Sequence, residues 1–305
     1  MEYHNFAEIL ERVKTMPQKR TMAIAAAADE PVIGSALHAW REGIVTPVFV
    51  GNADVIRHMI TAENEDAEQF QIIEADSEED AALKAVQMVA GGKADILMKG
   101  LLDTSKLLKP VVKKENGLNM GRPMTHFALY QLPGYHKLIV STDNGVMIYP
   151  NLEDKKNIIL NAASVLHAMG YETPKFAVLC AVEKVNPKMQ ETVDAAALKE
   201  MNQQGEISGC VVEGPLSYDV AMSSEIAKHK GVQCPYCGDF DVLVQPNLAT
   251  GNIMGKSWGV TCGAPMAGIV VGAKCPIVLS SRGATEEEKY LSIALTALTA
   301  GSIDA

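Results

Sequence analysis

Residues 70–114 read FQIIEADSEEDAALKAVQMVAGGKADILMKGLLDTSKLLKPVVKK. Within them, 70–73 and 94–98 are short apolar runs that read as strands, and 77–90 and 104–114 read as helices. Strand and helix in strict alternation predict βαβ units and a parallel sheet. The same rhythm extends outward. Toward the N-terminus lie an amphipathic helix at 6–16, an apolar run at 21–28, a helix opening at Asp29-Glu30-Pro31, and a strand at 47–50. Proline suits that helix start because its missing N–H has no helical partner there. After Pro133-Gly134 come strands at 137–141, 175–180, 209–213 and 241–244, with helices at 151–169, 187–201 and 218–229. Runs at 269–272 and 276–279 read as closing strands, and 285–300 as the last helix.

The composition permits this architecture. Of 305 residues 48% are hydrophobic and 21% charged, an ordinary globular balance that excludes disordered and collagenous classes. The net charge of −10 argues against nucleic acid and anionic membranes as general partners. That charge is uneven. Residues 51–90 hold ten acids and two bases, whereas 91–122 hold seven bases and three acids, a local positive segment that includes Lys99, Lys106, Lys113 and Arg122. The first residues lack the basic and apolar regions of a signal peptide, so a cytoplasmic location is expected. The six scattered cysteines do not form a secreted disulfide framework.

Open parallel sheets bind ligands beyond the carboxyl ends of their strands. Four segments occupy such positions: Lys99-Gly100, Asp143-Asn144-Gly145, the run from Pro246 to Asn252, and Ser280-Ser281-Arg282-Gly283. Arg282 can donate two parallel hydrogen bonds to a phosphate, or sit on the surface of a strand–helix turn. Lys99 can reach an anion or end a strand in solvent, and Gly100 permits close backbone approach. Asp143 and the amides of Asn247 and Asn252, with Gly251 between, can position a ligand or satisfy a turn. Thr285-x-x-Glu288 fits a capping box, and acids in a first turn offset the helix dipole, although Glu287 or Glu288 can also serve as a base.

Other patterns are weaker. Gly251-x3-Gly255-Lys256-Ser257 is one residue short of a Walker loop, and Gly255-Lys256-Ser257-Trp258-Gly259 matches GxSxG far from the preceding strand. The segment reads instead as a glycine-rich loop. Cys234-Pro235-Tyr236-Cys237 has no second pair to complete a zinc site and reads as a turn. No metal site is expected.

Seven ordered segments resemble the phosphate acetyl/butyryltransferase family, in its butyryl-type branch: DEPVIGSALHAWREGI near 29, MKGLLDTSKLL at 98, MTHFAL at 124, VEKVNPKMQETVDAAAL at 182, GCVVEGPLSYDVAM at 209, QPNLATGNIM at 245 and VLSSRGATEEEK at 278. The resemblance implies a two-domain α/β fold with parallel or mixed sheets and flanking helices, similar to the isocitrate/isopropylmalate dehydrogenases, with an active-site cleft between the domains. The expected division is residues 1–134 plus 276–305 against 135–275. The implied activity is reversible transfer of a short acyl group, butyryl first, between coenzyme A and inorganic phosphate. An acetyl-specific enzyme and a non-catalytic acyl-CoA-binding homologue are the alternatives. The implied catalytic residues are Ser281, Arg282 and either Glu287 or Glu288. Lys99, Gly100, Thr125, His126, Asp143, Asn247, Gly251, Asn252 and Gly283 are the implied phosphate- and CoA-binding residues. Coenzyme A is then a substrate, no cofactor is required, and a homodimer or larger homo-oligomer is expected. An acyl-enzyme route through Cys180 or Cys262 is a minor alternative.

Overall fold

The alternation is present in a computed structural model of the chain, which describes residues 2–281 and 283–302. The backbone divides into two compact units: residues 6–124 with the segment from 266 onward, and the segment before Phe6 with residues 125–265. The expected division placed the corresponding limits at 134 and 275.

The first unit begins with α1 (Phe6–Lys14), which buries Phe6, Ile9 and Val13. There follow β1 (Arg20–Ala25), α2 (Glu30–Arg41), β2 (Val45–Gly51), α3 (Ala53–Ala62), β3 (Gln71–Glu74), α4 (Glu78–Ala90), β4 (Ile96–Lys99) and α5 (Thr104–Val112). β1 lies in parallel between β2 and β4, and β3 pairs in parallel with β2. All of β4 is buried, as a strand covered on both faces requires. The order β3-β2-β1-β4 reverses direction between β1 and β4, which opens a crevice at the carboxyl ends of those two strands.

The second unit contains β5 (Thr125–Tyr130), β6 (Ile139–Thr142), α6 (Leu152–Met169), β7 (Lys175–Leu179), α7 (Gln190–Gln203), β8 (Val211–Leu216), α8 (Tyr218–Met222), α9 (Ser224–His229), β9 (Val242–Val244) and α10 (Leu248–Cys262). Its sheet runs β5-β6-β9-β7-β8, with β5 antiparallel to β6 and the other pairs parallel. α6 opens on a complete capping box, Asn151 with Asp154. The single helix expected over 218–229 is two. Ser223 is extended, and its hydroxyl accepts the Ile226 N–H, so it starts α9 instead of continuing α8. The expected glycine-rich loop is α10, fifteen residues long. Gly251, Gly255 and Gly259 recur every fourth residue and so share one helix face. A methyl group on Gly251 would lie 2.6 Å from Asn144 Oδ1, and one on Gly255 2.4 Å from the Tyr130 hydroxyl. The bare face lets α10 lie against the turn after β6, and that packing overrides low helix propensity.

The chain returns to the first unit with β10 (Met266–Val271), β11 (Ile277–Val278) and α11 (Glu286–Thr299). β11 joins β4 in parallel and β10 joins β11 antiparallel. α11 is buried from Lys289 to Thr299 and packs on α1, α2 and β10, with Tyr290 stacked on His38 at 4.0 Å.

Candidate functional site

β1, β4 and β11 are parallel neighbours, so their carboxyl ends meet at one edge of the first unit. The chain leaves β1 through Ala26, whose φ of +53° is in the left-handed region. There the backbones touch. The Gly100 N–H donates to Ala25 O at 2.8 Å and the Leu101 N–H to Ala26 O at 2.8 Å. A Cβ at position 100 would fall 2.1 Å from Ala26 O, so only glycine fits. Lys99 is buried, and its ammonium donates to Gly100 O at 3.2 Å and Leu102 O at 3.0 Å, which curls the 99–102 segment around the charge.

β11 delivers Ser280, buried, and Ser281, exposed, to the same edge. Ser281 begins a tight turn. Its carbonyl accepts the Ala284 N–H at 3.1 Å and its hydroxyl accepts the Gly283 N–H at 3.3 Å. Arg282 lies outside the described residues. Asp29, Lys99, Gly100, Ser281 and Lys289 all line one small cavity, together with Val32, Leu101, Leu102 and Ser280. The structure thus brings Lys99, Gly100, Ser281 and Gly283 together.

The first turn of α11 separates its three acids. The Thr285 hydroxyl accepts the Glu288 N–H at 3.1 Å, and the Glu288 carboxylate accepts the Thr285 N–H at 2.9 Å, which completes the expected capping box. Glu286 lies against the bare Cα of Gly34 on α2, where a methyl group would be 2.9 Å from its carboxyl carbon. Glu287 is exposed.

A second set of candidates gathers in the second unit. The Asp143 carboxylate accepts N–H groups from Gly145 at 2.7 Å, Val146 at 2.8 Å and His126 at 3.0 Å, so it organises the turn after β6 and ties it to β5. Thr125 is buried and its hydroxyl accepts from the Asn161 side chain at 3.0 Å. Asn247 caps α10 by accepting the Thr250 N–H at 3.0 Å, and the Asn252 amide donates to Asn144 O at 3.5 Å. Asp143, Gly251 and Asn252 therefore meet around Asn144, with His126 beside them.

Nearby, the carboxyl ends of β7 and β9 open into a cleft of about 800 Å³ lined by Tyr149, Lys155, Cys180, Asp194, Tyr218 and Asn247 among others. Lys155 and Asp194 form a buried ion pair at 2.6 Å, and Gln190 donates to the other Asp194 oxygen at 2.8 Å. Burial, with the charge of Glu191, pushes the Cys180 thiol up to about 12, so its thiolate is scarce at neutral pH. Cys237 is likewise pushed up to about 12 by burial and by Cys234. Ser257 lies inside α10 and donates to Ile253 O at 2.8 Å, which leaves no strand-to-helix elbow at that serine.

Two features escaped the sequence reading. Lys289 and Asp29 line the first-unit cavity, and the Lys155–Asp194 pair lines the second-unit cleft. A lysine following three glutamates signals a solvated helix face, so its inward turn is visible only in the structure. The local positive segment is also weaker than its composition suggests. Lys106 is bridged to Glu78 at 3.0 Å and Glu79 at 2.8 Å, and Lys113 to Glu115 at 3.3 Å. Among the described residues no helix is long and apolar enough to cross a membrane.

Residues 77–297 match the protein family described as phosphate acetyl/butaryl transferase. The chain is 43% identical to a phosphate butyryltransferase of Clostridium acetobutylicum over 98% of its own length and 99% of that protein's. It is 40% identical to a phosphate acetyltransferase of Thermotoga maritima, over 92% of this chain and 95% of that one. Its fold is similar to the crystal structure of a branched-chain phosphotransacylase from Enterococcus faecalis V583, with a TM-score of 0.80, 31% identity, and coverage of 92% of this chain and 98% of the other.

Proposed function

The chain belongs to the phosphate acetyl/butyryltransferase family, and on that premise we propose that it transfers a short acyl group, butyryl first, reversibly between coenzyme A and inorganic phosphate. The observation that carries this reading is the meeting of Lys99, Gly100 and Ser281 at the reversal point of the first unit's sheet. Two strand ends held by backbone contact and a third carrying a serine turn form a rigid seat with a buried cation. Such a seat suits an anion whose charge grows in the transition state.

In the direction that makes acyl-CoA, the CoA thiol must lose a proton, and a thiol's ordinary pKa is about 8.5. The thiolate attacks the acyl carbon, the C–O bond to phosphate breaks, and phosphate leaves. The exposed Ser281 hydroxyl donates to the carbonyl or leaving oxygen, and Arg282 holds the phosphate. Glu287 is favoured as the base over Glu288, because Glu288 is engaged in the cap. The cleft beside β7 and β9 has a volume typical of small-molecule sites and is assigned to coenzyme A. Transfer is direct, coenzyme A is a substrate, and the chemistry calls for no cofactor. The raised Cys180 disfavours an acyl-cysteine route. The enzyme works in the cytoplasm as a homo-oligomer.

An acetyl preference is the second reading, supported by the 40% identity to a phosphate acetyltransferase. Acetyl and butyryl differ by two methylenes, each worth about 1–3 kcal/mol in a hydrophobic pocket, so acetyl-CoA is expected to react with a lower kcat/KM than butyryl-CoA. The test is CoA release from acetyl-, propionyl-, butyryl- and isobutyryl-CoA with inorganic phosphate. Butyryl-CoA should give the highest kcat/KM. Absence of phosphate-dependent release from all four rejects the transferase.

A further inference from the structure

Lys289 stands apart from the charges beside it. The neighbouring acids are accounted for by the cap, by Gly34 and by solvent, whereas Lys289 turns inward and is only 4% exposed. Its ammonium donates to Ala284 O at 2.8 Å, the far end of the turn that Ser281 begins. Among the described residues no carboxylate lies within salt-bridge distance of it. The charged groups that face it are Asp29 at the start of α2, Lys99 at the end of β4, and Glu288 on its own helix. Glu288 is engaged by the Thr285 N–H. The cavity therefore holds two buried ammonium groups and one carboxylate. Burial pushes the Lys289 pKa down, against the charges of Asp29 and Glu288.

A buried ammonium with one neutral acceptor retains unused donors, since –NH3+ carries three. It is stabilised by whatever anion reaches it. The cavity accommodates only about 20 Å³, room for one oxygen atom and not for a whole phosphate. We propose that Lys289 is a further binding residue for the phosphate substrate: its ammonium receives one phosphate oxygen in this cavity while its bond to Ala284 O holds the Ser281 turn in place. The inference deepens the transferase reading and rests on it for the identity of the anion.

The test separates charge from positioning. Lys289→Gln removes the charge but keeps an amide that can donate toward Ala284 O; Lys289→Met removes both; Lys289→Arg keeps the charge. Inorganic phosphate is titrated against each protein by calorimetry, and KM for phosphate is measured separately from kcat. Wild type should bind phosphate. Both Lys289→Gln and Lys289→Met should weaken binding, and raise KM for phosphate, about ten- to hundredfold, with Lys289→Arg recovering most of it. Wild-type phosphate affinity in Lys289→Gln overturns the proposal, whether or not Lys289→Met folds, and so does a wild type that binds no phosphate. If the wild type binds phosphate but releases CoA from no acyl-CoA, the transferase reading falls instead, and the calorimetric comparison still decides whether Lys289 binds the anion.

Discussion

Two lysines, both almost fully buried, sit at opposite kinds of place in their sheets. Lys137, just before β6, is 1% exposed and lies among the amino ends of the second unit's strands. Its ammonium is 2.7 Å from Asp241, 2.9 Å from Asp239 and 3.2 Å from Glu2, and it donates to Asp239 O. Lys289, beside the carboxyl ends of the first unit's strands, has one carbonyl. Burial alone would depress both. At Lys137 the hydrogen bond and charge of Asp241, then those of Asp239, reverse the effect and raise its pKa, whereas at Lys289 burial prevails. A buried charge that the chain itself neutralises belongs to the scaffold. One left under-neutralised beside a cavity is placed to be neutralised by something that arrives.

Removing the scaffold charge should have the largest effect. Lys137→Met strands Asp241, itself buried, without its cation and should lower unfolding free energy by about 3–5 kcal/mol in urea titrations. Turnover per folded molecule should stay near wild type. A loss below about 1 kcal/mol would erase the contrast between the two lysines. Next is Gly100→Ala. At the site edge backbone fit, rather than charge, is the limiting feature, and a methyl group 2.1 Å from Ala26 O forces β1 and β4 apart. A cost of about 2–3 kcal/mol is expected in thermal unfolding, together with a sharp fall in kcat. Gly259→Ala is the control, because a methyl group there meets nothing within 4 Å.

The sequence made one side of this contrast legible and hid the other. Short apolar runs between helices revealed the parallel strands, and the rule that ligands gather at strand carboxyl ends selected Lys99, Gly100 and Ser281 from chain positions far apart. β5 went unread, since THFALY is an antiparallel strand outside the βαβ rhythm. α10 was hidden by its glycines, which oppose helix locally and permit it only once the turn after β6 lies against them. Asp143 reads first as a turn residue and second as a ligand contact; its carboxylate meets three N–H groups, one of them on β5, which no spacing rule foretells. Lys289 was concealed by its neighbours. EEEK reads as a charged first turn, and the inward rotation of the fourth residue depends on Ala284 O, a backbone atom without a sequence signature.

The two regions should also diverge with pH. Hydrogen bonds from Lys175 and Lys137 outweigh burial and hold Asp239 well below the usual carboxylate range. A depressed carboxylate contributes stability that is complete above its unfolded pKa, about 3.9, and is lost as pH falls through the folded value. Wild type should therefore lose stability below about pH 4 more steeply than Asp239→Asn, and equal slopes would remove this cluster from the acid response. Lys289 has the opposite sense. Its folded pKa lies below the unfolded lysine value of about 10.4, so the unfolded chain binds more protons between those two values. Stability then rises with pH across that window, and the cost of burying the charge is present in full below it. Lys289→Met removes that cost and loses one hydrogen bond worth about 1 kcal/mol. The two act in opposite directions, so the variant should lose far less stability at pH 7 than Lys137→Met, measured without phosphate, and should lack the alkaline rise. A phosphate-free loss as large as that of Lys137→Met would make Lys289 a scaffold charge after all.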